Sequence, residues 1–180
     1  MMNAAAARVE RGELARAPAA ELELRATIGT VFRELALYDE AAKMLAPAVP
    51  LARSLYSGDD EQTARALGNL AQLLNDRGDL EAAEPLYREG LAMDQRLFPG
   101  DDAQVATDLN NLSSLLSDKG DLAASEPIAR QALEMRRRLY PGDHEDLAES
   151  LNNLASLRNS QGDAEGAIAL FREALAMSRR

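Results

Sequence analysis

The chain has 180 residues, no cysteine, no tryptophan and a formal net charge of −10. Without cysteine there is no disulfide, thiolate nucleophile or Cys-ligated metal site, and the negative charge argues against generic binding to nucleic acid or anionic membranes, which needs a basic face. Hydrophobic residues make up 46% and aromatics only 4%, so alanine and leucine carry the apolar content, and both favour helix.

Residues 1–16 read as an Ala-rich tail or partial helix. They hold no apolar run of signal-peptide or membrane-spanning length, and Glu10 and Glu13 count against a transit peptide. The expectation is a soluble, cytoplasmic protein.

Residues 17–58 form a degenerate first repeat. Ile28, Gly29 and Phe32 mark the stripe of a first helix, here called helix A. Tyr38, Ala41, Leu45 and Val49 mark the stripe of a second, helix B. Ala36 stands where later units have a turn glycine, and Pro47 and Pro50 are expected to kink or break this helix B.

The second repeat, 59–100, is regular. Leu67, Leu70, Ala71 and Leu74 share one face of helix A, and Gly78 suits a left-handed helix end. Asp79 is expected to cap helix B, where Leu80, Ala83, Tyr87 and Leu91 form the stripe before Pro99-Gly100 ends it. The third repeat, 101–142, and the fourth, 143–180, follow the same plan, the fourth without a capping helix. Gly58, Gly100 and Gly142 stand 42 residues apart, a period that signals a solenoid in which each unit is stabilised by stacking on its neighbours. Small residues recur where the two helices of a unit would cross: Ala71, Ser113 and Ala155 on helix A, and Ala83, Ser125 and Ala167 on helix B. Pro85 and Pro127 each remove a helical hydrogen bond and predict a local bend. Arg136-Arg137-Arg138, the best candidate for a basic stripe, reads more simply as cations favoured late in a helix by its dipole.

The strings LGNLAQLLNDRGDLEAAEPLYREGLAM, LNNLSSLLSDKGDLAASEPIARQALEM and LNNLASLRNSQGDAEGAIALFREALAM resemble the tetratricopeptide repeat. The usual unit is about 34 residues. The longer period is similar to the extended repeats of kinesin light chains and their bacterial relatives. The likeness is good over 59–180 and weak over 20–58. It implies an all-α, right-handed solenoid of stacked antiparallel helix pairs, about four repeats long, that binds protein partners. Two departures stand out: Arg158 replaces a core leucine of helix A, and Ile168-Ala169 replace the Glu-Pro of earlier units.

In such stacks helix A lines a concave groove. Helical spacing puts Arg65, Asn69, Gln72 and Asp76 on that face in the second repeat. In the third it selects Thr107, Asn110, Asn111, Ser114 and Asp118, and in the fourth Glu149, Asn152, Asn153, Ser156 and Ser160. Asn69, Asn111 and Asn153 recur at one register, and an amide both donates to and accepts from a peptide backbone. The resemblance implies that role for these three. Bonding to a neighbouring helix to hold the stack in register is equally open to them. A clamp for C-terminal carboxylates needs cations here, and only Arg65, with Arg25 or Arg33, is placed to supply them. Asp76, Asp118 and Glu149 oppose it, so a neutral or mildly basic peptide is the expected ligand.

No catalytic, cofactor or metal site is expected. His144 is the lone histidine and takes the loop position held by Asp60 and Asp102 in earlier units, which suits a helix cap. Asp59-Asp60-Glu61 and Asp101-Asp102, with Gln62 and Gln104 three residues after the first Asp, have capping-box spacing. The leading function is a non-catalytic protein-interaction scaffold. The alternatives are a structural or self-associating solenoid segment, open to end-to-end homo-oligomers through the apolar Leu170, Phe171, Leu175 and Met177, or the regulatory repeat region of a larger protein.

Overall fold

The computed structural model describes residues 2–178. Among them lie α1 (Met2–Glu10), α2 (Pro18–Glu34), α3 (Tyr38–Leu55), α4 (Glu61–Asp76), α5 (Leu80–Leu97), α6 (Ala103–Asp118), α7 (Leu122–Leu139), α8 (Glu145–Ser160) and α9 (Ala164–Ser178), and no strand. Helices α2, α4, α6 and α8 are the A helices of the repeats, and α3, α5, α7 and α9 the B helices. The chain forms two compact units, Met1–Leu97 and Phe98–Arg180.

In the first unit α2 pairs with α3 and α4 with α5, and α4 packs on α3. The Ala-rich N-terminus is not a loose tail. Ala6 and Val9 of α1 are buried with Ile28, Phe32, Met44, Leu45 and Leu73. A second cluster joins Ala48, Val49 and Ala52 of α3 to Ala64, Ala66 and Leu67 of α4. Pro47 and Pro50 do not break α3, which runs unbroken through both. Pro85 and Pro127 likewise lie inside continuous helices. In each case burial of a long apolar stripe offsets the missing backbone hydrogen bond. Gly29 is the tightest approach in this unit: a Cβ there would lie 2.5 Å from the Leu45 side chain.

In the second unit α6 pairs with α7 and α8 with α9, and α8 packs on α7. Ala129 and Leu133 of α7 are buried with Leu147, Ala148, Leu151 and Leu154 of α8 and Ala174 of α9. At the α6/α7 crossing the two small residues are bonded to each other. Ser113 Oγ lies 2.9 Å from Ser125 Oγ, and each hydroxyl also reaches the other residue's carbonyl.

The joints explain the recurring loop residues. Gly78, Gly120 and Gly162 sit at φ 81, 82 and 86, where a side chain is strained. Asp60, Asp102 and His144 are the N-caps of α4, α6 and α8, each accepting from a first-turn backbone N–H. His144 is therefore a cap, as its position suggests, and its ring stacks on Tyr140 at 3.6 Å. The capping-box reading shifts by one residue. The second Asp caps, while the first, Asp59 or Asp101, makes a two-pronged ion pair with Arg96 or Arg138 at the end of the same unit's helix B. That arginine holds the carboxyl of each below the usual Asp range.

The arginine trio is not a uniform set of dipole-compensating cations. Arg138 pairs with Asp101 and Arg137 with Glu173, both near the surface. Arg136 is 1% exposed. It donates to the Asp146 carbonyl at 2.6 Å, Glu149 at 3.0 Å, Ser150 Oγ at 3.0 Å and Thr107 Oγ1 at 3.1 Å. One side chain of α7 thus ties α6 to α8. Arg158, which costs α8 a leucine, instead makes ion pairs with Glu126 and Asp163, each at 3.0 Å.

Candidate functional site

In the first unit the A helices α2 and α4 border a shallow groove of about 330 Å³, lined by Glu23, Ala26, Thr27, Thr30, Val31, Glu34, Arg65 and Asn69. Asn69 is half-buried there, and no hydrogen bond to its side-chain amide forms among the described residues. Arg65, exposed, is held by Glu23 and Gln62. Gln72 is engaged as well: its amide donates to Asp76 at 3.0 Å and its carbonyl accepts from the buried Tyr87 hydroxyl at 3.0 Å. The other two cations near this face are also taken. Arg33 pairs with Asp76, and Arg25 bonds Glu21 and the Lys43 carbonyl.

In the second unit the corresponding face belongs to α6 and α8. Asn111 and Asn153 are half-buried with unbonded side-chain amides, as Asn69 is. Ser114, Asn152 and Ser156 are exposed. Asn110 is not a groove residue. It is 2% exposed, on the face it shares with buried Ala106 (i−4) and Ser113 (i+3), and its Oδ1 has no hydrogen-bond partner. Thr107 and Glu149 lie above the buried Arg136, which holds both. Asp118 is exposed by surface area at the end of α6, yet the desolvation that remains there raises its carboxyl above the ordinary Asp value.

Thr27, Thr30 and Glu23 were legible as groove residues but escape a reading confined to the regular repeats. They stand one period before Asn69, Gln72 and Arg65, so the 42-residue register locates them although the first repeat is degenerate. Among the described residues no group of three or more His, Asp or Glu is arranged to hold a metal, and no helix is long and apolar enough to cross a membrane.

Paired helices that recur at one period, with one face of each A helix left polar and open, define a helical-repeat protein. The tetratricopeptide-repeat family model matches residues 19–96 and again 103–180, and the chain belongs to that family. Tetratricopeptide repeats commonly mediate protein–protein interaction and are generally non-catalytic. Solved structures agree on the fold. BtubC (BKLC) from P. vanneervenii superposes with a TM-score of 0.82 at 24% identity, over 94% of this chain and 70% of that one. A putative kinesin light chain with nearly identical repeats from Podosopora anserina gives 0.72 at 13% identity, over 98% and 92%. The apo form of RapI gives 0.77 at 16% identity, over 98% of this chain and 47% of that one. No curated protein is matched at the level of sequence.

Proposed function

We propose that the protein is a non-catalytic interaction scaffold whose helix A faces each take a stretch of extended peptide. The observation that carries this reading is the shared state of Asn69, Asn111 and Asn153. Three amides at one register are half-buried and unbonded. An amide that held a neighbouring helix would be bonded to it, so this favours a ligand role over a register role. A half-buried amide offers a donor and an acceptor with part of its desolvation already incurred, which suits backbone recognition. Arg65 contributes beside Asn69 in the first unit, and Ser114, Asn152 and Ser156 flank the amides in the second. Gln72, tied to Tyr87, sets the depth of the groove rather than reading the ligand.

The ligand is neutral or mildly basic. Arg65, Arg33 and Arg25 are all committed to acidic partners, so a carboxylate finds no unpaired cation among them. Glu34 in the groove of the first unit and Asp118 in the second favour a cationic side chain. Selection from a displayed random-peptide library, followed by affinity measurement on Asn69→Ala/Asn111→Ala/Asn153→Ala, tests this. The triple variant should lose at least about tenfold in affinity with unchanged helicity, as removal of buried hydrogen-bonding groups requires. Undiminished binding would show that the amides are not the recognition groups.

A further inference from the structure

Among the described residues, the large hydrophobic side chains left exposed are Leu24, Leu35, Leu37, Ile168, Phe171 and Leu175. They fall on α2, on the α2–α3 turn and on α9, and none on the helices α3 to α8. Both groups are unusual for their register.

On α9, Phe171 and Leu175 are 42% and 49% exposed. Their counterparts one period earlier, Ala129 and Leu133, are buried beneath α8. In the first unit the same registers hold Leu45 and Val49, buried within the α3/α4 packing. The fold therefore shows twice, once in each unit, what covers this stripe: the A helix of another repeat. On α2, Leu24 stands at the register of Ala66 and Ser150, which are buried where α4 and α8 pack on the preceding B helix. Helix α1 covers only the other end of that face, through Ala6 and Val9 against Ile28 and Phe32, and leaves Leu24 outside.

The α2–α3 turn points the same way. Later repeats close this turn with Arg77-Gly78-Asp79, Lys119-Gly120-Asp121 and Gln161-Gly162-Asp163; the first uses Leu35-Ala36-Leu37. Ala36 sits at φ 56, the one described non-glycine residue with positive φ, and Leu37 takes the N-cap place without a cap hydrogen bond. Leu35 and Leu37 are 57% and 46% exposed. The turn gives up both a favoured backbone and a helix cap to present two leucines to solvent.

We propose that these two patches are the halves of one head-to-tail interface, in which α9 of one copy packs against the α2 face and the Leu35–Leu37 turn of a second copy. The contact repeats, between chains, the B-helix-to-A-helix packing seen within each unit. Its two halves differ, so it is heterologous, and a pair joined by one such contact still carries one free half of each kind. With −10 on each copy, association strengthens as salt screens the repulsion.

Sedimentation velocity of the full chain over a wide concentration range tests this with two variants. Phe171→Glu/Leu175→Glu removes one half. Leu35→Arg/Ala36→Gly/Leu37→Asp removes the other by installing the turn of the second repeat, which is compatible with the fold. The wild type should form concentration-dependent dimers and higher species, and each variant should associate at least about a hundredfold more weakly, the loss expected from two buried leucine-sized side chains. Mixing the two variants should restore a dimer and nothing larger, because only one pair of intact halves remains. A wild type that stays monomeric at about millimolar concentration, or a turn variant that associates like the wild type, overturns the proposal. If the α9 variant loses helicity, Ile168→Lys at the edge of the stripe replaces it, with the same expected outcomes. Failure of this interface leaves the peptide reading intact, since the groove amides are untouched in both variants.

Discussion

Arg136→Ala separates two accounts of the arginine trio. If the three cations served the α7 dipole, they would be near-equivalent, since each lies in the last turn. The geometry instead makes Arg136 a buried hub. Its removal leaves the Ser150 hydroxyl, itself buried, without a donor to accept from, which costs about 1–3 kcal/mol. It also empties the space of the aliphatic stem, worth about 1–2 kcal/mol of packing. Against these stands recovery of the guanidinium's own desolvation, and Glu149, half-exposed, rehydrates readily. The balance is a loss of about 3 kcal/mol for Arg136→Ala. Arg137→Ala and Arg138→Ala remove surface pairs in high dielectric and should cost little. The assay is urea unfolding followed by circular dichroism, with hydrogen exchange on α6–α8 to localise the loss to the second unit. Arg136→Lys should recover only part of the stability, because one ammonium cannot span the acceptors a fork reaches. Equal and small effects for all three alanine variants would refute the hub.

Three further outcomes follow from the packing and the charges. Ser113→Ala and Ser125→Ala should each cost about 1 kcal/mol, but the double variant no more than one of them, because Ala71/Ala83 and Ala155/Ala167 fill the same crossing without hydroxyls; strict additivity in a double-mutant cycle would disprove the coupling. Gly29→Val should destabilise the first unit by about 2 kcal/mol through overpacking on Leu45, read as a lower urea midpoint and faster exchange in α2 and α3. For Asp118 the folded pKa is raised, so its contribution is most favourable below the ordinary value of 3.8 and is lost as pH rises through the folded value. Asp118→Asn should therefore be more stable than wild type at neutral pH, with the gap closing at low pH; a gap that widens on acidification would reverse the assignment.

The helix pairs were legible because one period fixes everything that depends on backbone alone: stripes, turn glycines, caps and crossing points. His144 is the clearest instance, since its place in the register names it a cap before any coordinate does. What escaped depended on reach across space. Pro47 and Pro50 read as a kink or break when α3 is judged alone, but the stripe through Met44, Leu45, Ala48 and Val49 is buried and the helix stays continuous. Asn110 and Asn111 are adjacent and chemically identical, and only the packing around α6 buries one and leaves the other half-open. The engagement of Arg65, Arg33 and Gln72 was invisible for the same reason: their partners Glu23, Asp76 and Tyr87 lie elsewhere in the sequence.

The same register can also carry opposite chemistries, and this bears on why near-identical repeats stack in one order. Ala52 and Arg136 occupy equivalent places on α3 and α7. Ala52 packs with Ala64 and Ala66 of α4, an apolar joint. Arg136 meets Ser150, the counterpart of Ala66, at a polar one. If α4 were to pack on α7, Arg136 would be buried opposite Ala66, beside Arg65 where Glu149 should be, with its charge uncompensated. If α8 were to pack on α3, Ser150 would face Ala52 with its hydroxyl unbonded. Both errors bury polar groups without partners, which is costly, whereas the native α7/α8 joint gives the Arg136 guanidinium the Asp146 carbonyl, Glu149 and Ser150, and the native α3/α4 joint sets alanine against alanine. The short loops already hold α4 against α3 and α8 against α7, and what a few buried side chains require of their neighbours adds a penalty to any exchanged pairing.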